Sequence, residues 1–238
     1  LLANPFPGLI AATHPRLRAA RDGWLYAAVT VVDQGGFIVY VNRYRNGQWA
    51  KAVQASEYTV SYPEVNLGTT VQGAALNIRT GPQYSFDIGA ASEGGNDALR
   101  FLYTRRSSSG RLYVEGSACA ADLSNCHPVP GWKAGPSAPE ATPLDVFNPA
   151  VAAWEGFIGL PPHWTSSFYE RYGSAVTQVA LSRMNLAYVN GAALGIPVNL
   201  VKNITVCSDT RGYWGDYDEM LHAGFDDTTP VFLRFTSS

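Results

Sequence analysis

The 238-residue sequence predicts an all-β chain, on three observations. Helix signals are sparse: 23 Gly and 15 Pro are scattered along the chain, and few windows place apolar residues at i, i+3, i+4 and i+7. Short runs rich in Val, Ile, Tyr, Phe and Thr recur instead, bounded by Gly, Asp and Ser. These runs also recur in the same order, a short strand, a turn and then a hairpin.

The first unit opens with Arg16-Leu17-Arg18-Ala19-Ala20 and the turn Asp22-Gly23. Its hairpin runs from Trp24 to Val32, turns through Asp33-Gln34-Gly35-Gly36 and returns from Phe37 to Tyr44. Glycine suits such a turn because it supplies positive φ without steric cost. The second unit opens at Phe86-Asp87-Ile88 and pairs Leu99–Arg105 with Arg111–Glu115 around Ser107-Ser108-Ser109-Gly110. In the third, Asn148 to Trp154 precedes Ser167–Tyr172, with Gly173-Ser174 as the turn and Ala175 to Met184 returning. A fourth opens at Asp216 to His222 and continues with Val231 to Phe235, where the second strand should turn into the third.

Unit starts near residues 16, 86, 148 and 216 are separated by 70, 62 and 68 residues. A strand–turn–hairpin meander at a nearly constant period predicts radial β repetition, a β-propeller of four-stranded antiparallel blades. Trp49 and Trp132 stand where a fourth, outer strand would begin. A lectin-like β-sandwich is the alternative all-β reading, because jelly rolls of this length also use short meanders. The Pro-, Ala- and Ser-rich stretch 134–143 reads as an exposed connection, so residues 1–238 are taken as one domain of about four units.

Composition narrows the function. With 46% hydrophobic and 15% charged residues, the chain has the apolar content of a folded domain. A formal charge of -2 leaves no basic excess to neutralise phosphates, which argues against nucleic-acid binding. Apolar runs are cut by Gly, Pro or charge before the roughly 18 residues a membrane-spanning helix needs. The start, Leu1-Leu2-Ala3-Asn4-Pro5, has no Met and no signal-peptide pattern, and is read as something other than the translational start.

Cys119 and Cys126 follow a strand-like run at a spacing that closes a small disulfide loop, which leaves Cys207 odd. An odd cysteine points to a partner outside the chain. Together with the Asn203-Ile204-Thr205 sequon and six Trp, the cysteines suggest a secreted protein.

Candidate site residues are of two kinds. Arg105, Arg171 and Arg211 offer planar guanidinium forks suited to a carboxylate or sulfate, and Trp164, Tyr213 and Trp214 offer faces for stacking on a sugar. Asp216 and Asp218 fall on one face of a strand and can present hard oxygens to Ca²⁺, or else act as solvated turn carboxylates. The four histidines show no metal-ligand spacing, and no Gly-x-Ser-x-Gly elbow is present. Tyr169 and Glu170 are neighbours on a strand and point to opposite faces, so they cannot act as one catalytic pair.

The segment Arg211-Gly212-Tyr213-Trp214-Gly215-Asp216-Tyr217-Asp218 resembles the Trp-Gly-Asp-Tyr segment late in bacterial sialidase-like (BNR-repeat) propellers. The opening His14-Pro15-Arg16-Leu17, leading to Asp22-Gly23-Trp24-Leu25-Tyr26, looks like the same class. That resemblance implies a propeller around a central funnel, secreted and directed at glycans. The Ser-x-Asp-x-Gly-x-x-Trp box and the Arg-Ile-Pro motif of sialidases are absent from this sequence. The expectation is therefore a non-catalytic module that recognises an extracellular glycan or polysaccharide. Two alternatives stand beside it. One is a sialidase-type glycoside hydrolase whose missing catalytic residues lie on further chain. The other is a structural or adhesive unit, with Cys207 or the short fourth unit recruiting a second chain that completes the propeller.

Overall fold

The computed structural model describes residues 3–33, 36–56, 64–69, 75–79, 84–89, 98–129, 145–154, 163–172, 180–189, 192–193, 198–201, 217–222 and 230–235. Within them the chain is all-β, with antiparallel sheets and no helix. No helix there is long and apolar enough to cross a membrane.

The sheets are local meanders, each built from consecutive strands. Sheet 1 runs β1 (Ala12–Ala19), β2 (Leu25–Asp33), β3 (Gly36–Arg45) and β4 (Gln48–Trp49), with β5 (Val53–Gln54) also pairing with β3. A separate hairpin, β6 (Glu64–Thr69) with β7 (Ala75–Arg79), follows. Sheet 2 is β8 (Tyr84–Ile88), β9 (Leu99–Arg106), β10 (Leu112–Cys119) and β11 (Cys126–Pro128). Sheet 3 is β12 (Asp145–Trp154), β13 (His163–Tyr172), β14 (Ala180–Val189) and β15 (Ala192–Ala193), with β16 (Val198–Val201) also on β14. The described part of the fourth unit is the pair β17 (Tyr217–His222) and β18 (Pro230–Phe235).

The expected hairpins form, with Leu25 opposite Tyr44 in the first and Leu99 opposite Cys119 in the second, where the returning strand runs on past Glu115 to Cys119. Two details differ from the sequence expectation. The returning strand of the third unit occupies Ala180–Val189 rather than starting at Ala175, and residues 173–179 lie outside the described residues. The β6–β7 hairpin was not anticipated; it lies between the first and second units. Trp49 does lie in a fourth strand, the two-residue β4, whereas Trp132 lies outside the described residues and the fourth strand of sheet 2 precedes it.

The turn into the β2–β3 hairpin shows why these residues fold locally. Asp22 Oδ1 accepts from Trp24 N at 3.3 Å, and Gly23 sits at φ 87°, a conformation other residues reach only with strain. The opening strands of sheets 1 and 3 share a second device. Each carries a bulge at an X-Pro pair, His14-Pro15 in β1 and Asn148-Pro149 in β12, with His14 and Asn148 both at φ 52°. Proline has no N–H to give a ladder, so it fits an edge strand at a bulge.

The sheets stack front to back in chain order. Alternate residues of sheet 1 (Tyr26, Ala28, Val39, Val41) pack on one face of sheet 2 (Tyr84, Phe86, Leu99, Phe101, Tyr103). From the opposite face of sheet 2, Leu102 and Val114 pack on Val146, Val151, Trp164 and Phe168 of sheet 3. β9 is thus covered on both faces, and all six residues from Leu99 to Thr104 are buried. Strands covered on both faces lose the apolar–polar alternation of a half-exposed strand, as this one has. The other face of sheet 1 is covered by the segment before β1: Phe6, 3% exposed, sits on Ala27 and Val29. The Asn42 side-chain amide and the Trp49 indole N–H donate to the carbonyls of Pro5 and Ala3 in that segment.

At the second interface the space is tight. A Cβ on Gly89 would lie 2.6 Å from Cζ2 of Trp164, whose ring is 7% exposed and has little room to retreat. Gly89→Ala is therefore expected to lower the unfolding free energy by about 1–3 kcal/mol through overpacking, read as a lower midpoint in urea at unchanged slope.

Candidate functional site

The opening strands converge. β8 packs against β1 on one side and β12 on the other, and β12 packs in turn against β17. Each opening strand is an edge strand of its own sheet, with unpaired backbone groups on one side. Side chains of β8 satisfy three of these groups on β1 and β12. Ser85 Oγ accepts from Val151 N at 3.1 Å and Asp87 Oδ2 from Ala153 N at 2.8 Å, while the Tyr84 hydroxyl donates to His14 O at 2.7 Å.

Three arginines gather at this line. Arg16 and Arg18 alternate along β1 and so share a face, lying 5.5 Å over the Tyr84 ring and 5.6 Å over the Phe86 ring. Arg18 Nε is 3.4 Å from Asp87 Oδ1. Arg100 on β9 is the register partner of Asp87 and lies 5.5 Å over the Trp164 ring. Arg100 is 3% exposed and Arg16 9%, whereas the Arg18 side chain keeps 17% of its surface. Arg18 thus reaches the Asp87 carboxylate, Arg100 is the register partner of that residue, and each of the three guanidinium groups lies over an aromatic ring. Such an arrangement favours an anion, because the donors are held before a ligand arrives.

The predicted site residues fall in different places. Arg105 donates to Glu115 Oε2 at 2.8 Å within sheet 2, beside Tyr113, away from the converging strands. Trp164 is buried between sheets 2 and 3, under Arg100, rather than on an open face. Arg171 occupies the register position opposite Asp145 near the end of β13, on the backbone of sheet 3. Arg211, Tyr213, Trp214 and Asp216 lie outside the described residues, as do Cys207 and Asn203. Asp218 is on β17, opposite Arg234. Among the described residues, no three His, Cys, Asp or Glu side chains gather as a metal site would require. The cysteine pair forms as expected: Cys119 and Cys126 are bonded at 2.06 Å as cross-strand partners on β10 and β11.

Arg16, Arg18, Asp87 and Arg100 were not singled out from the sequence. The alternation Arg16-Leu17-Arg18 on an opening strand was the available signal, since it places two like charges on one face of a strand that otherwise reads as core. That Asp87 and Arg100 would meet could be seen only once the register of β8 on β9 was known.

A second polar cluster joins sheets 1 and 2 at their other end. The turn between β10 and β11 presents Ala121 O to the Tyr26 hydroxyl at 2.8 Å and to Arg43 Nη1 at 3.1 Å. Arg43 also lies 4.3 Å over the Trp24 ring. Burial of the Tyr26 phenol raises its pKa above 10.0, against the opposing pull of Arg43. Hydrogen bonds from the side chain and the backbone N–H of Ser124 lower the pKa of Asp122 in the same turn. A carboxylate with a depressed pKa stabilises the fold at pH values above its unfolded value of about 3.8 and ceases to do so as pH falls through the folded value. Acidification through that window should loosen this turn first. Carboxyl NMR titration of Asp122 should give an apparent pKa below that of a free Asp, and Asp122→Asn should remove the step.

Comparison with protein-family models, with curated proteins and with solved structures gives no match to this chain.

Proposed function

We propose that the chain is a secreted β-propeller module, or a large part of one, of the sialidase-like type, which recognises an anionic extracellular glycan. The observation that carries the propeller reading is the position of sheet 2. It is covered on one face by the preceding sheet and on the other by the following one, with the opening strands side by side. A two-layer sandwich leaves the outer face of each sheet to solvent, whereas stacked blades cover both faces. The disulfide suits an oxidising compartment, which supports secretion.

The glycan reading rests on chemistry at the converging strands. Arg18 is the most open of three arginines held over aromatic rings, and in the sequence the segment Arg211 to Trp214, which precedes β17, carries a further arginine and two aromatic residues. An acidic sugar offers the carboxylate or sulfate that such forks bind and the flat face that aromatic rings accept.

A glycan array that includes sialylated, uronic-acid and sulfated oligosaccharides tests the reading on the intact chain. Binding to anionic glycans is expected, with Arg211→Ala and Trp214→Ala each weakening it about tenfold or more. Arg106→Ala, at the exposed tip of the β9–β10 hairpin, should leave it unchanged. An array with no binding above background overturns the reading. Turnover of a sialoside replaces it with the hydrolase.

A further inference from the structure

At the β10–β11 turn, residues 120–125, sheet 2 reaches across with a main-chain carbonyl to hold side chains of sheet 1. Ala121 O takes both the Tyr26 hydroxyl and the Arg43 guanidinium, and Leu123 inserts into the core between the two sheets with 4% of its surface exposed. The turn does this in an unfavourable shape. Leu123 has φ 64°, a left-handed conformation that a branched apolar residue seldom takes. It is held there by its own N–H on Ala120 O, by Ala120 N on Asn125 O and by the Asp122–Ser124 bonds, all within the turn. The strand that follows, β11, is three residues long and lies at the edge of sheet 2. Across the base of the turn runs the Cys119–Cys126 disulfide. Cys119 is fully buried in the sheet 1–sheet 2 core, whereas Cys126 is partly exposed.

We propose that this disulfide is a redox latch on the interface between sheets 1 and 2, opened by a dithiol reductant. A thiolate of the reductant attacks Cys126 Sγ, the accessible sulfur, and Cys119 leaves as a thiolate that takes up a proton. The second thiol of the reductant then attacks the mixed disulfide and frees Cys126. The reductant departs as its cyclic disulfide, and two electrons and two protons have passed to the protein. Without the covalent closure, only the hydrogen bonds within the turn are left to offset the left-handed Leu123. The turn lifts away, the Tyr26 and Arg43 bonds to Ala121 O break, and the Trp24 edge of the interface becomes accessible. The rest of that interface does not depend on the turn. Ala28, Val39 and Val41 of sheet 1 pack with Phe86 and Phe101 of sheet 2 in the same buried core and hold the sheets together. Opening is therefore local, of the sub-global kind in which a short edge element detaches while the core stays closed.

The test uses the intact chain with Cys207→Ser, so that thiol counting reads this pair alone. Amide hydrogen exchange is compared before and after dithiothreitol, with two new thiols verified by maleimide mass shift. Exchange in peptides covering 119–126 is expected to quicken about tenfold or more, with a smaller rise over 24–28 and 41–45. Peptides covering β12 and β13 should be unchanged, the far-UV circular dichroism should be retained, and reoxidation should restore protection. Tyr26→Phe in the oxidised protein should by itself quicken exchange over 119–126, because it removes one of the two bonds to Ala121 O. Verified reduction with no change over 119–126 and 24–28 overturns the latch. So does loss of the whole β signal on reduction, which would make the disulfide a condition of folding rather than a switch.

Discussion

Replacing Asp87 by alanine is expected to lower the unfolding free energy by about 3 kcal/mol, the cost of leaving a partly buried charge and an edge amide without their partner. Asp87 accepts from Ala153 N at 2.8 Å, lies 3.4 Å from Arg18 Nε, and stands opposite the buried Arg100. One substitution therefore removes an acceptor used by β12 and the carboxylate beside Arg18. The side chain is 17% exposed, so solvent recovers part of the loss and the figure falls at the low end for a buried ion pair. Asp87→Asn should recover about half of it, since an amide oxygen can still accept from Ala153 N while the charge is gone. A cycle with Arg100→Met is informative. If the penalty comes from leaving Arg100 without its counter-charge, the double variant will be more stable than Asp87→Ala alone, by urea denaturation at constant slope.

The second large effect is expected at Phe101. Its ring is fully buried and stacks at 5.2 Å on Phe86, its cross-strand partner, between sheets 1 and 2. Phe101→Ala should cost about 3–5 kcal/mol, combining lost burial with a cavity that two packed sheets cannot close. For a chain of this length the thermal midpoint should fall by roughly 8–15 °C. Phe101→Leu, which keeps most of the volume, should cost less than half as much. A loss near 1 kcal/mol for Phe101→Ala would mean that the sheets can slide together to fill the space. The interface would then be softer than its packing implies.

These two positions also show what can be read from a sequence of this kind. Phe101 was legible as a strand residue within Leu99–Arg105, because β-rich runs separated by Ser and Gly predict hairpins from local chemistry alone. The same logic placed the opening strands, the hairpins and the cysteine pair, each of which depends on residues close together in the chain. Asp87 was read only as part of an opening strand. Its role comes from Arg18, 69 positions before it, and Ala153, 66 after it. No local pattern encodes contacts at that range.

The candidate residues followed the same division. Arg105 was chosen as an anion ligand because an arginine near a strand end looks available. Its partner Glu115 sits across the hairpin, within reach only because the strand register places them on one face of sheet 2. Trp164 was chosen as a sugar-stacking face, and it lies instead against Gly89 and Arg100, both brought to it by the packing of sheet 2 on sheet 3. An aromatic residue has the same chemistry in a site and in a core, so its sequence context does not separate the two.

By itself, then, the sequence determined the all-β class, the order of strand, turn and hairpin, and the disulfide, because turn chemistry, β-propensity and short cysteine spacing act over a few residues. The tertiary structure alone decided which faces are covered twice, that Arg18 meets Asp87, and that the β10–β11 turn grips sheet 1. Those outcomes arise when sheets stack front to back. Stacking depends on the summed shape and charge of faces whose residues lie some 60 to 100 positions apart in the chain.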